Sequence, residues 1–140
     1  MKTKIIPLLI FVSVVSGCAT IKETAKVFWG SSTKVLEEAR INALSNVYQC
    51  TYEDCYREVL QISQLEEYKV LIKDKTKGHI VFINIKGAVD TTEVGVFFEK
   101  VKENETQVDI SSLSSNAKTI VAGVVFPQLE QVYPKKSQTN

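Results

Sequence analysis

Apolar side chains recur every three or four positions from about residue 33 to 63. They alternate with polar ones from 68 to 113 and return to the longer spacing after 114. A period near 3.6 marks amphipathic helices, and a period near 2 marks half-buried strands. The first helical stretch covers residues 31–49, with Leu36, Ala39, Ala43 and Val47 on one face. Ser31, Ser32 or Thr33 can cap its start, and Glu37 and Glu38 lie in an early turn. The helix is predicted to end or bend near Asn46. A second helix follows over residues 51–63, where Tyr52, Cys55, Tyr56, Val59 and Leu60 trace one face.

Four strands are predicted next, at 68–74, 79–87, 91–101 and 106–113. Val, Ile, Phe and Thr dominate these runs, as strand propensity requires. Val94, Val96 and Phe98 fall on one side of the third strand. The KTKG segment (75–78) predicts a turn in which Gly78 can take positive φ, and KENE (102–105) predicts another. Such short connections argue for an antiparallel meander. Residues 114–133 close the domain as a helix lined by Ala117, Ile120, Val121, Val124, Val125 and Leu129. Ser114 or Ser115 can cap it, and Pro127 is predicted to kink or interrupt it. His79 is placed at a turn edge, on the surface.

The predicted fold class is α+β, in the order α-α-β-β-β-β-α. It is a four-stranded antiparallel meander sheet with two N-terminal helices and one C-terminal helix packed on one face. Residues 33–133 form this domain, and 134–140 form a polar tail expected to fray. In element order the domain is similar to the helix-grip domains of some outer-membrane assembly lipoproteins.

The first 32 residues follow another logic. Lys2 and Lys4 precede IIPLLIFVSVV, an uncharged run too short to span a bilayer as a helix. A basic segment followed by a short apolar one predicts a secretory signal peptide over residues 1–17. Val15-Ser16-Gly17-Cys18 then resembles the lipobox of bacterial lipoproteins, in which an aliphatic and two small residues precede the acceptor cysteine. That resemblance implies a diacylglyceryl thioether on Cys18 and cleavage before it. It also implies that Ala19, where an aspartate would favour inner-membrane retention, permits transport to the outer membrane. The WGSST segment (29–33) resembles one that follows the anchor in small envelope lipoproteins with no assigned activity. Residues 18–32 are predicted to be the lipidated cysteine and a tether. Within it, Phe28 and Trp29 either rest at the lipid headgroups or pack on the domain, and packing is favoured.

Composition narrows the function. The 140 residues carry 17 Lys+Arg against 16 Asp+Glu, so no basic surplus argues for nucleic acid. Glycines are scattered, so there is no phosphate-binding loop, and no C-x-x-C pair or G-x-S-x-G elbow exists. The paired carboxylates Glu37-Glu38, Glu53-Asp54 and Glu66-Glu67 fall on helices or their ends, where charges face water. Asp90-Thr91-Thr92-Glu93 lacks the acidic density of a calcium loop. No catalytic residue, metal ligand or cofactor is predicted.

Cys50 and Cys55 flank Thr51-Tyr52-Glu53-Asp54. With Cys18 committed to lipid, they remain as an even pair in an oxidising compartment. If Thr51 is the N-cap, Asp54 is N3, and Cys50 and Cys55 hold the two positions that touch in a hydrophobic staple. The prediction is a Cys50–Cys55 disulfide at the start of the second helix. Two reduced thiols packed as the same staple are the alternative, and metal binding stands below both, since no histidine is near.

These features predict a lipid-anchored envelope lipoprotein, outer-membrane and periplasm-facing, with a non-catalytic binding or assembly domain. Its partners are the membrane, through Cys18, and an envelope protein, with no nucleic acid. One alternative is a lipid or small-molecule carrier whose cavity, between sheet and C-terminal helix, is lined by Phe82, Phe97, Phe98, Val124 and Val125. The other is an envelope hydrolase.

Overall fold

Residues 32–137 are described by the structure, which is a computed structural model. The predicted signal peptide, Cys18 and the predicted tether up to residue 31 lie outside the described residues. The chain is α+β with an antiparallel sheet, and it corrects the expected layout in three places.

First, the helix predicted over 31–49 stops early. Helix α1 covers residues 32–38, a 3-10 turn spans Ala39–Asn42, and Ala43 leaves it in extended conformation. Leu44–Tyr48 is then strand β1, so the sheet has five strands and not four. Ser45 and Asn46 are weak helix formers, while Val47 and Tyr48 favour strands. Pairing with a distant strand decides the matter, because it satisfies every backbone group of β1 along one side. Of the proposed helix face Leu36, Ala39, Ala43 and Val47, only Leu36 is buried.

Second, the helices do not share one face. Helix α2 (Tyr52–Leu65) is followed by β2 (Lys69–Asp74), β3 (His79–Ile83), β4 (Val94–Lys102), β5 (Glu105–Ser111) and α3 (Ser115–Val132). The sheet order is β1-β5-β4-β3-β2, antiparallel throughout. Helices α2 and α3 cover one face, where Tyr48, Phe82, Val94, Val96, Phe98, Val108 and Ile110 meet Tyr56, Val59, Val121, Val125 and Leu129. Helix α1 covers part of the other, packing Leu36 against Val81 and Phe97. Gly95 permits that approach: a Cβ there would come within 2.7 Å of the Phe97 ring and 3.4 Å of Leu36 Cδ1. Alternation explains the split, since Phe97 points opposite to Val96 and Phe98.

Third, Pro127 does not interrupt its helix, which continues through it to Val132. The carbonyl that Pro127 leaves without a donor belongs to Gly123, one turn back, and both residues are exposed. Water can serve that carbonyl, so the helix continues without a buried orphan.

The predicted turns are present. Gly78 has φ of +73° and donates its N–H to the Asp74 carbonyl at 2.9 Å. The polar tail is ordered at its start: Gln49 N–H donates to the Pro134 carbonyl and Lys136 N–H to the Val47 carbonyl, each at 2.9 Å. Residues 134–136 thus cover the outer side of β1. The opposite edge, β2, carries Lys69 and Lys73 and an irregularity between Val70 and Ile72. Both are devices that discourage edge-to-edge association.

Cys50 and Cys55 are joined in a disulfide, with Cα atoms 5.9 Å apart. Thr51 is the N-cap, its hydroxyl accepting from Asp54 N–H at 3.2 Å. The Asp54 carboxyl is held below its usual range by the Thr51 side chain and by Arg57. The buried Thr106 hydroxyl donates to the Cys50 carbonyl at 3.0 Å, tying the linkage to β5. Closing so short a loop contributes about 2 kcal/mol on a chain-entropy account. Reduction should therefore lower the urea midpoint by that equivalent without unfolding the domain, as circular dichroism with and without reductant will show.

A cross-sheet row beneath the first helix

Register brings together residues that are far apart in sequence. Ser45 of β1 lies opposite Asp109 of β5, Asp109 opposite Phe97 of β4, Phe97 opposite His79 of β3, and His79 opposite Asp74 of β2. Residues directly opposite in an antiparallel pair share a face. One row therefore crosses all five strands on the face that α1 covers. Glu99 and Gln107 form part of the next row.

Arg40, on the 3-10 turn after α1, reaches down to this row. Its Nη2 and Nε donate to Asp109 Oδ2 at 2.6 and 3.2 Å. Its guanidinium stands 4.9 Å from the centre of the Phe97 ring, within cation–π range. Glu99 lies 3.6 Å from the same Nη2. Gln107 Nε2 donates to the other Asp109 oxygen at 2.8 Å. Burial raises the Asp109 pKa, but hydrogen bonds from Ser45, Arg40 and Gln107 and the Arg40 charge outweigh it. The net result holds the carboxyl below its usual range, so it stays ionised.

His79 is not the surface residue expected from its place beside a turn: it is 6% exposed. Its ring lies 6.0 Å from that of Phe97. Desolvation lowers its pKa below the ordinary value, with Lys77 acting in the same direction and Asp74 and Glu37 opposing. The sign for stability follows. The unfolded chain takes up this proton at a higher pH than the folded one, so stability is complete above the ordinary imidazole pKa near 6.5 and falls as pH drops below it. His79→Gln should flatten the dependence of the melting temperature on pH between about 5 and 7, the window in which the imidazole titrates.

Arg40, Glu99, Phe97, His79 and Asp74 line a cleft of about 930 Å³ between α1 and the β2–β3 hairpin. Lys34 and Glu37 of α1 stand on one side, Asp74 and Lys77 of the hairpin on the other, and Phe97 and His79 are among its lining residues. Cationic and anionic groups are balanced. Such a surface suits a polar partner of mixed charge better than a strongly charged one.

Of the residues singled out from sequence, Cys50 and Cys55 are brought together. His79 is brought into the cleft, contrary to expectation. Arg40, Asp109 and Glu99 carried no local signal, since Arg40 and Asp109 are 69 positions apart. Of the residues proposed to line a carrier cavity, Phe97 and Phe98 both border the cleft beneath α1. Phe82, Phe98 and Val125 are in the core beneath α2 and α3, while Phe97 points to the α1 side. Among the described residues no group of three or more His, Cys, Asp or Glu is placed to hold a metal ion. Among them, too, no helix is long and apolar enough to cross a membrane. No protein-family model matches the chain, and no curated protein matches it in sequence.

Proposed function

We propose that this chain is a lipid-anchored protein of the bacterial envelope whose domain binds a partner protein and performs no chemistry of its own. The observation that carries the binding reading is the cleft beneath α1. It is open and of mixed charge, and Arg40, one of its cations, is already committed to Asp109 and Glu99. Groups paired in this way hold a surface in shape rather than wait to transfer a proton. The anchoring reading rests on the VSGC segment after an apolar leader. Two or more acyl chains at Cys18 supply stable attachment where one is marginal. The Cys50–Cys55 disulfide accords with an exported domain, because such linkages persist in oxidising compartments. Ala19 at the position after Cys18 supports outer-membrane placement, with the domain facing the periplasm.

Two measurements test this. Mass spectrometry of the mature N-terminus should find Cys18 diacylated and residues 1–17 removed; an unmodified Cys18, or a retained leader, refutes the anchor. A photo-crosslinker at Glu37 or Lys77 should capture one reproducible envelope protein. Capture of none, with the anchor intact, refutes the binding role alone.

A further inference from the structure

A second hollow, of about 530 Å³, opens at the start of α1. Val35 and Leu36 form one wall and Leu113, between β5 and α3, forms another. Val35 is 42% exposed and Leu113 77% exposed. Thr91 and Thr92 also line the groove, and its other polar side chains are engaged in hydrogen bonds. The Ser32 hydroxyl donates to the Glu93 carboxylate, the Ser112 hydroxyl donates to the Glu93 carbonyl at 2.7 Å, and Ser114 Oγ accepts from Ala117 N–H at 3.2 Å. Beyond the two threonines, what the groove still offers is apolar surface.

We propose that this groove is the docking site of the chain's own Val27-Phe28-Trp29 segment. Reach decides the occupant. Trp29 precedes Ser32, itself a groove residue, by three positions, so it stays within about 11 Å of the groove. A segment tethered so closely acts at an effective concentration of about millimolar or more. It is also the apolar cluster of an otherwise mostly polar stretch, and each of its aromatic side chains can bury roughly 150–250 Å². Gly30 provides the backbone freedom to turn the aromatics back. Helix α1 would gain from the contact. Its seven described residues bury only Leu36, whose carbonyl accepts from the Ser111 hydroxyl at 2.7 Å, and a second apolar contact would steady so short a helix.

The consequence is mechanical. The helix whose residues Lys34 and Glu37 line the partner cleft becomes clamped to the sheet by the segment that leads to the membrane. Only residues 19–26 then remain as free tether, at most about 29 Å when extended. This inference rests on adjacency in the chain and not on lipidation, so it stands or falls apart from the proposed anchor.

Trp29 is the single tryptophan of the chain, so fluorescence reports on it alone. The full chain is reconstituted in phosphatidylcholine vesicles and excited selectively at tryptophan. The expected result is a blue-shifted emission, protected from acrylamide, unquenched by headgroup spin-labelled phosphatidylcholine and unchanged on dilution. Leu113→Lys and Val35→Lys should each shift the emission to the red and raise acrylamide quenching several-fold. Val101→Lys, at an exposed site on β4, should change neither. Both groove substitutions are at exposed positions, and the unsubstituted chain decides by itself if either fails to fold. Acrylamide access in the unsubstituted chain overturns the proposal. So does quenching by the spin label, which puts Trp29 in the headgroups, and so does loss of protection on dilution, which puts it on a second copy.

Discussion

Asp109→Ala should lower the free energy of unfolding by about 3 kcal/mol, near the lower end of what breaking a buried ion pair costs. Asp109 is almost fully buried, whereas the Arg40 side chain retains 27% exposure. Water can therefore relieve part of the stranded guanidinium charge, which sets the lower end. The loss has three parts. Arg40 loses two charge-assisted hydrogen bonds, Gln107 loses its acceptor, and the guanidinium loses the contact that holds it over Phe97. Urea unfolding followed by circular dichroism will measure the total. The pH dependence has a definite sign: the folded-state pKa is lowered, so the carboxylate's contribution is complete above the ordinary aspartate range and is lost as pH falls through and below it. The unsubstituted domain should lose this advantage in acid, and Asp109→Ala should not. A variant that matches the unsubstituted protein at pH 7 would show that the pair contributes nothing.

Tyr48→Ala should cost about 3–5 kcal/mol, the range for truncating a large buried aromatic. Tyr48 heads the fully buried side chains in size. Its ring lies 6.3 Å from that of Phe126, and its hydroxyl accepts from Asn46 Nδ2 at 3.2 Å and donates to the Phe126 carbonyl at 3.5 Å. Burial pushes its pKa up to about 12, so the phenol stays neutral at any physiological pH. The residue also pairs through its backbone with Lys135, where residues 134–136 cover β1. Hydrogen exchange should therefore quicken at Gln49 and Lys136 as well as along β1, where a purely local cavity would leave both unchanged.

Tyr48 also shows where local pattern and fold part company. Leu36, Ala39, Ala43 and Val47 satisfy helical spacing, and nothing between residues 31 and 49 forbids a helix except weak propensities at Ser45 and Asn46. The strand forms because Leu44–Tyr48 faces Thr106–Ile110 across an open sheet edge, a partner more than fifty residues away. That gain is invisible in a local window. The hairpins were legible because their information is local: alternation on each side and a turn residue between. The capped, disulfide-linked start of α2 was legible for the same reason, since Cys50, Thr51, Asp54 and Cys55 interact within one helical turn.

His79 illustrates the limit from the other side. Its position beside Gly78 was correctly placed at a hairpin, but exposure is set by what covers the sheet. Helix α1 comes to lie over that face, with Gly95 providing room for Leu36, and this turns a hairpin-edge residue into a wall of the cleft. The row Ser45, Asp109, Phe97, His79 and Asp74 likewise exists only through register, which links five separate segments at once.

The sequence by itself determined the α+β class, the antiparallel hairpins, the cap and cysteine pair at α2 and an exported, lipid-anchored address as the expectation to test. Each depends on residues close together along the chain, or on a processing signal that is linear by nature. Only the tertiary structure decided the fifth strand, the division of helices between two faces, the ordered residues 134–136, the Arg40–Asp109 pair and the cleft beside it. Those arise where distant segments compete to bury apolar surface and pair backbone groups, and the outcome of that competition is a property of the whole sheet.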